Sequence, residues 1–186
     1  MYFMESPGTL DAHRLDGGQP SQADIDLYRV LSADISAGVA VVSTSLRKRD
    51  YAATVTAFLS VSYDPPTMLV SLYAGSRIGE AVAATGTWAL SLLRSKHQGA
   101  ADWLASPGTP VEGLLAQVPY RRGPATGSVI LDGSIAYFEL RTVAIHPAAT
   151  HLLVVGEVVA LGGDAPGSEI PDPLIHFASA YHRLAL

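Results

Sequence analysis

The chain contains no cysteine. That absence excludes disulfides, thiolate metal centres and a cysteine nucleophile. Charge is sparse: Asp, Glu, Lys and Arg make up 16% of the residues, and the formal net charge is −5. Such a balance offers no bulk attraction to nucleic acid, so none is expected as a partner. No apolar run reaches the roughly 20 residues that a membrane span needs. The opening MYFMESPGTLDAHRLDGG lacks a basic segment followed by an apolar one, so it does not read as a secretory signal. A cytoplasmic protein without a membrane is therefore expected. Familiar chemical motifs are missing too. Neither GxGxxG nor GxxxxGKS/T occurs, which removes the usual nucleotide loops. GxSxG is absent, which disfavours an α/β-hydrolase. There is no HExxH, and the six histidines are scattered without close carboxylate partners, so no metal site is expected.

What is present is apolar. Hydrophobic residues are 48% of 186, enough for one domain with a sizeable core. That fraction also predicts more apolar surface than a monomer leaves open, and so an oligomer. Residues 1–20 are polar, with Gly17-Gly18 and Pro20, and read as a flexible arm before a single domain over 21–186. Ser21 is placed to cap a helix over Asp24–Ala33. Ile25, Tyr28, Leu31 and Ile35 give that helix an apolar face, as a lid would have.

The rest of the chain is organised around AATVTAFLSVSYDPPTMLVSLY, Ala52 to Tyr73. Thr54, Thr56, Ala57, Ser60 and Ser62 dot its first half with small and hydroxyl side chains. A strand of small residues lets a flat group approach its backbone, and the hydroxyls can bond a polar rim. A plain buried hairpin has the same pattern. Asp64-Pro65-Pro66 breaks the run, because neither proline can donate to a ladder. Upstream, Gly38–Ser45 reads as a strand ending at the charged tip Leu46-Arg47-Lys48-Arg49-Asp50. That tip is either a solvated turn or a patch for nucleotide phosphates. Downstream, Ser76 is an N-cap for a helix that Gly86 stops, with Glu80 near the capping-box position. The start of that helix, with Arg77 beside it, is either an ordinary cap or an anion site.

Thr87–Leu93 is a further strand, and Lys96–Ala105 a second helix with Trp103 and Leu104 facing the core. Residues 106–127 are Pro- and Gly-rich and irregular. Val129–Ile145, bent at Asp132-Gly133, and His151–Leu161 complete the strands. Six substantial strands with two or three helices, and no βαβ alternation, fit a small antiparallel barrel rather than a doubly wound sheet.

The run TVTAFLSVSYDPPTMLVSLYAGSRIGEAV resembles the signature of the flavin reductase family. GVAVVST, TWALSLL, HLLVVGEVVAL and AYHRL extend the similarity over nearly all of residues 25–186. The resemblance implies a mainly β fold, a six-stranded antiparallel split β-barrel of Greek-key type with two or three flanking helices. It implies hydride transfer from NADH or NADPH to FMN or FAD, with the reduced flavin diffusing to a partner monooxygenase. A flavin-binding protein without NAD(P)H turnover, and an FMN-dependent oxidase of the same fold, are the alternatives. Carried over as flavin contacts are Thr54, Val55, Thr56, Ala57, Ser60, Val61, Ser62, Ser76, Arg77 and Tyr181. His151 is the catalytic candidate, at a position where the family shows Gly-Asp-His and this chain has Ala149-Thr150-His151. Its residue type alone fits a surface or packed histidine equally well. The family also usually has a glycine in the turn that Arg47-Lys48 occupies here. A homodimer with the flavin cleft at its seam is a further implication.

Overall fold

The computed structural model describes Leu15 and residues 18–106, 108–164 and 171–184. Most of the polar arm expected over residues 1–20 lies outside them. Helix α1 (Gln22–Ser32) starts at Ser21, whose side chain accepts from the Asp24 amide while the Asp24 carboxylate accepts from the Ser21 amide. It is followed by β1 (Ala37–Gly38), β2 (Ala40–Leu46), β3 (Arg49–Val55), β4 (Phe58–Tyr63) and β5 (Pro66–Tyr73). Helix α2 (Arg77–Thr85) and β6 (Thr87–Leu92) come next, then α3 (Gln98–Ala105). The chain closes with β7 (Tyr120–Arg122), β8 (Val129–Leu131), β9 (Ala136–Ala148), β10 (His151–Gly163), β11 (Ile175–Phe177) and β12 (Ala180–His182).

The main sheet is antiparallel and has seven strands, in the order β3-β2-β6-β9-β10-β5-β4. The expected six-stranded split barrel is corrected here. The hydroxyl-dotted ribbon that reads as one strand divides at Thr56-Ala57 into β3 and β4, which lie at opposite edges of the sheet. These edges share no ladder, so the sheet is not a closed barrel. The Ser71 amide donates to the Ala57 carbonyl at 2.9 Å and holds the corner. Two smaller sheets, β1-β11-β12 and β7-β8, flank the main one.

The run from Val39 into the start of β2 is apolar because it lies between two cores. Val39 and Val41 enter one core with Leu104, Leu115, Val129 and Leu174. Ala40 and Val42 enter another with Val70, Val82, Trp88 and Val154. A run buried on both faces favours apolar side chains, and the buried Ser43 and Thr44 that follow donate to the Val129 and Thr87 carbonyls. Helix α2 covers the second core with Ile78 and Val82. Helix α3 and the segment after it cover the first.

Several local expectations change. No residue of α1 is buried; Tyr28 is 68% and Leu31 62% exposed, so the helix is no lid on this chain's own sheet. Trp103 faces outward at 43% exposure, because the stripe at Ala101 and Leu104 already takes the buried face of α3. Its indole N–H donates to the Leu114 carbonyl at 2.8 Å. The third residue of α2 is Gly79, so Glu80 misses the capping-box position by one. Gly86 ends the helix in the left-handed region at φ 66°, as its position after Thr85 requires. The β2–β3 hairpin turns on Arg47 and Lys48 with φ of 51° and 64°. Both central residues of this two-residue turn are left-handed, a conformation that normally favours Asn-Gly.

Candidate active site

Strand β3 is an edge strand, paired only with β2. Half of its backbone groups therefore point away from the sheet. Thr54, Val55, Thr56 and Ala57 line a cavity of about 390 Å³, together with Tyr73, Ser76, Leu104 and His151. A second cavity of about 510 Å³ adjoins it and is lined by Tyr51, Gly75, Ser76, Arg77, Leu104 and Thr109 among others. The two share Ala53, Tyr73, Ser76, Ile78, Leu104 and Ala105 and form one trough. It runs between β3, the start of α2 and the end of α3.

The expected hydroxyls have internal duties. Thr54 Oγ1 donates to the Ala101 carbonyl at 2.8 Å and so fastens α3 to β3. Ser76 Oγ donates to the Tyr73 carbonyl at 2.6 Å and accepts from the Gly79 amide at 3.0 Å. A Cβ on Gly79 would fall 2.7 Å from that same carbonyl, so the tight strand-to-helix junction requires glycine there. The cap leaves the amides of Arg77 and Ile78 without a protein acceptor among the described residues. Helix α2 thus presents two free N–H groups and its positive end to the trough. The Arg77 guanidinium donates to the Thr109 carbonyl, which holds the loop after α3 over this end.

His151 stands where β10 begins, opposite Tyr73 in the β5–β10 ladder. Its Nδ1 lies 3.0 Å from Thr150 Oγ1. No protein group among the described residues bonds its Nε2, which remains available in the cavity.

The structure therefore gathers Thr54, Val55, Thr56, Ala57, Ser76, Arg77 and His151 around one trough. It does not bring the other sequence candidates there. Ser60 and Val61 are exposed on β4, at a bulge between Ser60 and Ser62. Ser62 Oγ organises the following turn, accepting from the Asp64 amide and donating to the Asp64 carbonyl, each at 3.1 Å. Tyr181 packs against the core beneath α3. Burial, with the charge of Asp102 added, raises its phenol above the ordinary value. Tyr73, Ile78, Leu104 and Ala105 are trough residues that the sequence did not single out. Only the pairing of β5 with β10 could have revealed Tyr73.

The edge of β3 at Ala53–Ala57 borders the cavity with outward backbone donors and acceptors, an arrangement suited to the polar rim of a planar ring. An anionic tail fits the free amides of α2.

The flavin reductase like domain matches residues 32–185 of the chain. The chain belongs to the flavin reductase family. It is 32% identical over 166 residues to a flavin reductase (NADH) of Kitasatospora aureofaciens, covering 88% of this chain and 84% of that protein. It is 29% identical over 161 residues to the reductase component of 4-hydroxyphenylacetate 3-monooxygenase of Thermus thermophilus, covering 86% and 96%. Its fold matches that of the Streptomyces globisporus NADH:FAD oxidoreductase in complex with NAD and FAD fragments. The TM-score is 0.81 at 22% identity, over 94% of this chain and 98% of that one.

Proposed function

We propose that this flavin reductase family member transfers hydride from NADH to FMN or FAD and supplies the reduced flavin to a partner monooxygenase. The observation that carries the reading is the single trough that joins Thr54–Ala57, the free end of α2 and His151. The names of the relatives support NADH as the donor and a monooxygenase as the consumer.

Bound flavin would supply the two-electron chemistry. The protein holds and orients it. Ala53, Val55 and Ala57 give the ring a flat support. The edge of β3 bonds its polar rim, and the Arg77 and Ile78 amides with the Arg77 charge hold the phosphate. His151 Nε2 is placed to hydrogen-bond a ring substituent or the nicotinamide carboxamide. Stacking the two rings at near-attack distance is the main catalytic contribution, and no acid–base triad is needed.

The same reading makes the protein a homodimer. Helix α1 exposes Tyr28, Val30 and Leu31, and β4 exposes Leu59, Val61 and Tyr63. An apolar groove of about 540 Å³ lies between them, from Ile35 past Phe58 to Leu174. Thr56 and Ala57 line both this groove and the flavin trough, so a second copy seated there would border the cofactor.

The test is to mix purified protein with NADH and either FMN or FAD and to follow NADH absorbance. Rapid loss that depends on added flavin is expected. Absence of loss with both flavins would overturn the assignment.

A further inference from the structure

A third cavity lies under the tip of the β2–β3 hairpin, with a volume of about 520 Å³. Lys48 and Arg49 form one wall, Tyr120 another, and Glu112 and Leu114 the floor segment between them. Val111 and Leu114 line both this cavity and the trough at Arg77, so the two lie side by side.

Two observations separate this tip from an ordinary solvated turn. First, neither Lys48 nor Arg49 has a carboxylate partner among the described residues. The nearby acid, Asp50, is already spent. Arg122 grips it with two bonds of 2.6 and 2.8 Å, and Ser45 Oγ adds a third at 2.6 Å. Second, Arg122 belongs to β7, the strand that carries Tyr120, and its guanidinium lies 5.4 Å from the Tyr120 ring. The Asp50–Arg122 clamp therefore ties the cationic wall to the aromatic wall and fixes the opening between them.

We propose that this cavity receives the phosphate-bearing adenylate end of a dinucleotide. Lys48 and Arg49 meet the phosphate, and Tyr120 supplies a face for the base. Glu112 can accept from ribose hydroxyls but not hold a phosphate, which puts the phosphate at the hairpin end. Strand β3 from Arg49 to Thr54 spans roughly 17 Å at about 3.4 Å per residue. A mononucleotide with its ring at Thr54–Ala57 ends near Arg77; a dinucleotide continues toward Lys48. The proposal rests on the flavin and nicotinamide reading of the trough, and two ligands share the chemistry: FAD and NADH both carry ADP.

The experiment compares the wild-type chain with the double variant K48Q/R49Q, which removes charge and keeps side-chain length. Circular dichroism checks that the variant folds. Calorimetry with ADP is the direct probe: wild type is expected to bind and the variant to bind at least tenfold more weakly. Fluorescence titration with FAD and FMN, and the KM for NADH with FMN as acceptor, then assign the source. A tenfold loss for FAD with FMN unchanged assigns the adenylate to the flavin. A tenfold rise in KM for NADH with flavin binding unchanged assigns it to the electron donor. Equal ADP binding by both proteins overturns the proposal, as does a variant that weakens FMN and FAD alike. A wild-type chain that binds ADP but neither flavin keeps the hairpin site and refutes the reading of the trough.

Discussion

The rings of Tyr73 and His151 meet edge to face, with centroids 5.8 Å apart and planes at 64°. They are direct partners across the β5–β10 ladder. The contact sits at the mouth of the trough and sets the orientation of the imidazole from one side while Thr150 Oγ1 sets it from the other.

From this follows the first expectation, for His151→Ala. The residue is exposed, so the change should alter stability by less than about 0.5 kcal/mol. Loss of a hydrogen bond to ring or carboxamide should lower kcat/KM for NADH by roughly tenfold, equivalent to about 1.4 kcal/mol. Steady-state kinetics decide it. Wild-type kinetics in the variant would place the reacting rings away from His151.

Arg77→Ala should weaken FMN more than riboflavin. A charge-assisted hydrogen bond to phosphate, the role proposed for Arg77, is worth about 1.5–3 kcal/mol. Because Arg77 also bonds the Thr109 carbonyl, some loss common to both ligands is expected from the freed loop. The ratio of the two dissociation constants isolates the phosphate contribution. An unchanged ratio puts the phosphate elsewhere.

His97 gives a pH dependence. Its Nδ1 accepts from the Arg94 amide at 3.1 Å, and its Nε2 lies 3.1 Å from the Asp132 carbonyl. Only the neutral ring protonated on Nε2 satisfies both. Burial first of all lowers its pKa, and the nearby charges of Lys96 and Arg94 add to the fall, against the raising effect of the Asp132 carbonyl. Below about pH 6.5 the unfolded chain then binds a proton that the folded chain resists. Stability should therefore be full above that pH and decline as pH falls through the lower folded value. Melting temperatures across this range should fall more steeply in the wild type than in His97→Gln. Parallel slopes would contradict the assignment of the proton to this ring.

Glu139 offers a test of the scaffold. Its carboxylate is fully buried and accepts from the Thr126 amide and hydroxyl, both at 2.7 Å, and from the Ala125 amide at 3.1 Å. Gly123 packs so closely that a Cβ there would lie 2.2 Å from Oε1. Glu139→Ala strands these donors and should cost about 3 kcal/mol. Denaturant unfolding measures it; a cost below 1 kcal/mol would mean that water replaces the carboxylate.

These positions also show what the sequence made legible. The α2 cap at Ser76 and the stop at Gly86 follow from local chemistry, and both are present. The division at Thr56-Ala57 was not legible, since small β-prone residues run straight through it and only the change of pairing partner, from β2 for β3 to β5 for β4, marks the corner. The trough position of Thr54–Ala57 was read from side-chain size. Ser60 was read the same way and Val61 came with the family resemblance, but the corner carries both to the far edge of the sheet. Tyr73 and Leu104 enter the trough through contacts between distant segments, which spacing along one strand cannot show.

The Thr56-Ala57 corner has a thermodynamic consequence. It is wall to the trough on one side and to the apolar groove on the other. Whatever fills the groove stiffens the corner, and whatever fills the trough does the same from within. With a second copy in the groove and flavin in the trough, as proposed above, the two binding events are linked, and linkage is reciprocal. Flavin affinity should then climb with protein concentration, and dilution should release flavin and separate the paired chains together.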